Sequence, residues 1–166
     1  MSLPERAERA FDAHEAFERD GDEFELTTTA FDGRATASET DDWALRYTVT
    51  IRAPMLSTAT EEPVGPAVED GWFDTYALRL EDAPGAIRDS IELADLDVFE
   101  EEGDAVAVFV FEWGNADRAP AIAKALVEYA EGTYMEGIVP GYSYTEPVAS
   151  MLSQASQGEG RGGTPL

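Results

Sequence analysis

His14-Glu15 is the first half of the HExxH pattern, in which two histidines one helical turn apart hold zinc, but the chain contains no second histidine. Cysteine is absent too, which excludes disulfides, thiolate metal sites and cysteine nucleophiles. Zinc, haem and iron–sulfur chemistry thereby lose their usual ligands. His14 lies between Phe11 and Phe17 at a spacing of three and reads as a packed side chain. Carboxylates are the chemistry that remains. Asp20, Asp22 and Glu23, the pair Asp95 and Asp97, and the run from Glu100 to Asp104 could offer oxygens to Mg²⁺ or Ca²⁺, yet none follows EF-hand spacing. They fall at expected turns and polar strand faces, where carboxylates are solvated. No phosphate loop, dinucleotide fingerprint or serine elbow occurs. The expectation is no catalytic residue, no metal and no cofactor.

The abundance of acid is informative in another way. Thirty-five Asp and Glu stand against eleven Lys and Arg, a formal charge of −24 over 166 residues, and Lys124 is the sole lysine. Such a charge repels itself and destabilises a compact chain. The Debye length falls from about 8 Å at physiological salt to about 3 Å at 1 M, so concentrated salt silences most of that repulsion. Acid excess with arginine in place of lysine points to a halophilic protein, with a haloarchaeal cytoplasm as the expected location. Arginines scattered singly argue against nucleic acid. Apolar runs such as Ala105 to Phe111 are far shorter than the ~20 residues of a membrane helix, and the first residues lack the basic start and apolar run of a signal peptide. Hydrophobic content of 43% argues for a folded chain. The length suits a single domain, read as 1–155, and the Gly/Ser/Gln-rich end, 156–166, reads as a flexible tail.

These elements follow from periodicity. Ser2 to Glu5 has the form of a capping box, and Leu3, Ala7, Ala10, Phe11, His14 and Phe17 predict a helix to about Arg19, stopped by Asp20-Gly21-Asp22. Phe24, Leu26 and Thr28 alternate as a strand. Phe31-Asp32-Gly33-Arg34 carries a type I′ hairpin signal, with Ala35 to Thr40 returning. Trp43, Leu45, Tyr47, Val49 and Ile51 share one face of the next strand. After a Pro-rich loop, Val64, Val68, Trp72, Tyr76 and Leu80 form one helical stripe, closed by Pro84-Gly85. In the following strand the apolar parity switches near Ala94-Asp95, which predicts a bulge. Ala105 to Trp113 is apolar on both faces and reads as a central strand covered on both sides. Asn115 or Asp117 caps a helix carrying Ile122, Ala123, Leu126, Tyr129 and Ala130, and a short helix follows from Glu146 to about Gln154. The fold class is α+β, an antiparallel sheet of about five strands with helices packed on it, in the order αβββαββα plus a C-terminal extension.

One stretch departs from the overall composition. From Gly132 to Thr145 there is a single charge, Glu136, where a surface segment of average composition would carry about four, and there are three tyrosines. Such a stretch is either laid across the core or reserved for a partner. Trp72, Phe73, Tyr76, Tyr134, Tyr142 and Tyr144 are therefore the candidate partner-binding residues, since aromatic rings dominate contact energies.

Several stretches carry a resemblance: Leu26 to Phe31, Val64 to Phe73, Gly114 to Arg118, Gly132 to Tyr142, and the Gly-Gly-Thr-Pro-Leu end. Through them the chain resembles an uncharacterised haloarchaeal domain-of-unknown-function family, which implies no activity and no functional residues. The element order is in turn similar to the type III secretion chaperone-like and YbjN-like fold, whose members are mostly non-enzymatic, often dimeric, and bind protein segments. The resemblance implies a protein partner or a homodimer, and a non-enzymatic interaction or chaperone-like domain. The alternative is a small-molecule or nucleotide-handling enzyme that uses carboxylates with Mg²⁺.

Overall fold

A computed structural model describes residues 3–162, with side chains described through Ala155. Six antiparallel strands form one sheet and five helices accompany it, which makes the fold α+β. The elements are α1 (Glu5–Asp12), β1 (Phe17–Asp20), β2 (Glu23–Leu26), β3 (Asp32–Glu39), β4 (Leu45–Pro54), α2 (Leu56–Ala59), α3 (Pro66–Leu80), β5 (Leu93–Glu101), β6 (Asp104–Trp113), α4 (Ala119–Glu136) and α5 (Val148–Gly162). Across the sheet the strands run β1-β2-β3-β4-β6-β5. No helix among the described residues is long and apolar enough to cross a membrane.

The sixth strand comes out of the expected first helix. That helix ends at Asp12, because the chain turns at His14: its carbonyl accepts the Phe17 N–H at 3.1 Å and its Nδ1 accepts the Ala16 N–H at 3.2 Å. Phe17 then pairs with Leu26, and the turn between β1 and β2 is made by Gly21 at φ +63°. Phe17 still packs edge-on against Phe11 at 4.9 Å, so a core position consistent with helical spacing is reached by a strand instead. Ser2, the expected cap, lies outside the described residues.

Gly33 is also not a hairpin residue. It sits inside β3, opposite Leu26 and Ile51, where a Cβ would meet both methyls of Val127 at 2.9 Å. The glycine lets α4 approach the sheet closely.

The helices lie on one face of the sheet. Leu45, Tyr47, Val49, Ile51 and Ala53 from β4 and Ala105, Ala107, Phe109 and Phe111 from β6 form the buried face, each apolar side chain contributing roughly 1.5–3 kcal/mol of burial where it is large. The other face carries Arg34, Thr36, Thr48, Thr50, Arg52, Val108 and Val110, partly exposed. Two-sided cover of β6 is therefore overturned: Val106 is buried, but Val108 and Val110 stand on the open face, and Trp113 is half-buried at the strand end. Cross-strand ion pairs rim that face, Arg46 with Glu112 at 2.8 Å and Arg52 with Glu101 at 2.9 Å. Trp43 is not in β4. Thr40 and Asp42 fold a turn around Ala44, and Trp43 is 72% exposed with its ring over Gly114.

Other expectations hold. The register of β5 on β6 shifts between Leu93 and Asp95. Asn115, not Asp117, caps the turn before α4, its side chain accepting the Asp117 N–H at 3.1 Å. The Pro-rich loop contains the short α2, and α5 continues to Gly162 rather than ending near Gln154. The tail expected at 156–166 falls where side chains are not described, and residues 163–166 lie outside the described residues altogether.

Candidate functional site

Helix α3 begins with Pro66 in its first turn and presents Trp72, Tyr76 and Leu80 inward at a spacing of four. Trp72 and Tyr76 are stacked, with centroids 5.7 Å apart and planes 5° from parallel. Tyr134, on the last turns of α4, meets both edge-on, at 5.3 Å from Trp72 and 5.9 Å from Tyr76. Three of the six expected site residues thus form one aromatic cluster. Tyr134 is wholly buried, its hydroxyl donating to the Pro54 carbonyl at 2.8 Å. Phe73 is half-buried against the core.

Tyr142 and Tyr144 make a second, looser pair at 6.5 Å. Their segment is tied to the loop after α2. Ser143 donates its N–H to Glu62 at 2.7 Å, Thr145 donates to the Ala59 carbonyl at 2.7 Å, and Tyr144 forms a bridge with Thr60. The Tyr144 hydroxyl donates to the Val139 carbonyl. The charge-poor stretch is therefore partly the end of α4 and partly a strap along the core edge, with Thr133 and Tyr134 buried and its other residues half-buried or exposed.

Between α3 and the end of α4 lies an open groove of about 360 Å³. Val68, Gly71, Trp72 and Thr75 form one wall, and Gly137, Ile138 and Val139 the other. Arg79 and Glu136 supply its charges. Two polar atoms at this wall are buried without a partner, Trp72 Nε1 and Tyr76 Oη. A Cβ placed on Gly137 would stand 4.0 Å from the indole nitrogen, so that glycine is the wall over the donor.

The surroundings favour neutral groups. Burial pushes the hydroxyls of Tyr76 and Tyr134 well above the usual tyrosine range. Burial also raises the carboxyl of Glu131, offset in part by the Phe31 N–H it accepts at 2.8 Å. His14 stands elsewhere, beside Lys124 and Glu128. No three acidic or histidine side chains among the described residues converge as metal ligands would. The groove can therefore hold and orient an apolar group with few polar contacts.

Sequence reasoning missed Val68 as an exposed wall residue, together with Gly71, Thr75 and Arg79. Their spacing of three and four continues the helix face next to the aromatic stripe, and that is the signal that could have found them.

A one-sheet α+β chain with an aromatic-floored groove between two helices defines an architecture. A family described as "Family of unknown function (DUF5813)" matches residues 12–154, and the chain belongs to it. No curated protein and no solved structure matches the chain.

Proposed function

We propose that this chain is a protein–protein interaction domain of concentrated salt, folding as one unit over 1–155, that receives a partner segment in the groove between α3 and α4. The observation that carries this reading is the groove itself. It is an open hollow floored by the Trp72–Tyr76 stack, on a chain otherwise covered with carboxylates. Large aromatic surfaces desolvate at low entropic cost and dominate contact energies. The salt habitat is supported by the ion pairs: of the thirty-four acidic side chains described, ten hold a cation and most have none.

Photo-crosslinking tests the site. A benzophenone amino acid at exposed, groove-lining Thr75 should yield a crosslinked species of discrete mass in multimolar KCl, and the same label at Thr48 on the open sheet face should not. Gly71→Arg, whose side chain enters open space beside the groove, should abolish the crosslink while leaving the melting curve intact. Equal labelling from Thr75 and Thr48, or none from Thr75, would overturn the reading.

A further inference from the structure

Arg79 is a groove-lining cation without a carboxylate partner among the described residues. Ten arginine and lysine side chains are described, and seven of them pair with a carboxylate within 4.0 Å. Arg6 bonds the carbonyls of Trp43 and Gly114 instead. Arg79 and Arg88 make no ion pair among the described residues, although acids outnumber bases threefold in this chain, and of the two it is Arg79 that lines the groove. Its backbone is held in place, since its own carbonyl accepts the Tyr129 hydroxyl at 2.9 Å. An exposed guanidinium left unpaired on such a surface is available to an incoming anion.

We propose that the groove recognises the C-terminal carboxylate of a partner chain, with that chain's last apolar side chain lying along Val68 and Trp72. This deepens the interaction reading and rests on it. Three features fit this occupant. Arg79 supplies a forked donor of the geometry that a carboxylate accepts from two nitrogens. Trp72 Nε1, buried behind Gly137 and without an acceptor, is a donor that a backbone carbonyl of the entering peptide would satisfy once the Gly137 wall gives way. Glu136, the groove's other charge, can accept a peptide N–H while Arg79 takes the carboxylate, so a carboxylate with its preceding amide is the matching pattern. The contact persists in concentrated salt because groups in direct hydrogen-bond contact leave no room for an ion between them, so salt weakens them less than it weakens separated charges.

The test uses an array of short peptides of identical body and every combination of the last two residues, synthesised once as free acids and once as C-terminal amides. Binding is measured to the whole protein in multimolar KCl. Free acids ending in apolar residues should bind at least tenfold tighter than their amides. Arg79→Gln should erase that ratio without shifting the melting temperature. Equal binding of acids and amides, an acid preference that survives Arg79→Gln, or no binding by any member would each overturn the carboxylate assignment. The crosslink from Thr75 is read independently, so a groove that binds an internal segment would still be recognised as a partner site.

Discussion

Val127 and Gly33 meet at backbone distance: both methyls of the valine lie 2.9 Å from where a side chain on the glycine would begin. Helix α4 is thereby pressed onto β3, and the far end of the same helix carries Tyr134 into the aromatic cluster behind the groove. The seating of one glycine thus bears on the groove about two turns away.

Gly33→Ala should destabilise the protein by about 1–3 kcal/mol, the usual range for an overpacked core. Val127→Ala removes the methyls that the new Cβ would strike. The double variant should therefore lose clearly less than the sum of the single losses, by urea denaturation in high salt. Simple additivity would show that the contact is not tight.

The two loop tyrosines should separate. Tyr144 packs on the core and donates to Val139, so Tyr144→Ser should cost about 2–4 kcal/mol, as for other large-to-small core changes. Tyr142 makes no hydrogen bond through its hydroxyl among the described residues, and Tyr142→Ser should stay within about 0.5 kcal/mol. Denaturation midpoints for the two variants decide this, and equal losses would place both rings in the core.

Glu131 should leave a signature in the pH dependence of stability. Burial raises its folded pKa above the unfolded value of about 4.3. The folded state then holds the proton more tightly, so the stability this group contributes is greatest below pH 4 and falls as pH rises through the raised value. Glu131→Gln keeps an acceptor for the Phe31 N–H and removes the titration. The difference in stability between the original and the variant should move in the variant's favour across that window, and a difference independent of pH would contradict the burial argument.

Melting temperature should climb steeply from dilute buffer to multimolar KCl, because the unpaired carboxylates repel until screened. Circular dichroism melts at a series of KCl concentrations check this. A flat series would remove the halophilic reading.

Most strands could be read from the chain because alternation survives wherever one face is buried: Leu45 to Ala53 shows it residue by residue. Val108 and Val110 misled, since valine suits an open sheet face as well as a closed one, and composition alone does not say whether a second layer exists. Phe17 misled for a related reason, as both a helix and a turn followed by a strand return it to Phe11. In the candidate site, Trp72 and Tyr76 stood out as large rings on a helical stripe. Arg79 did not, because its lack of a carboxylate partner is a fact of three dimensions.

Strand β6 reaches its place between β4 and β5 last in the chain, and its pairing joins Leu45 to Trp113. Strands β1 to β4 form a meander of sequence neighbours, which closes short loops quickly, whereas the β4–β6 pairing must wait for a distant closure. On a ribosome the meander emerges first and carries Tyr47, Val49 and Ile51 on an unfinished edge strand. The β5–β6 hairpin then docks as a unit and seals that edge with Phe109 and Phe111. Nascent chains are therefore most prone to self-association in the interval between synthesis of Pro54 and synthesis of Trp113.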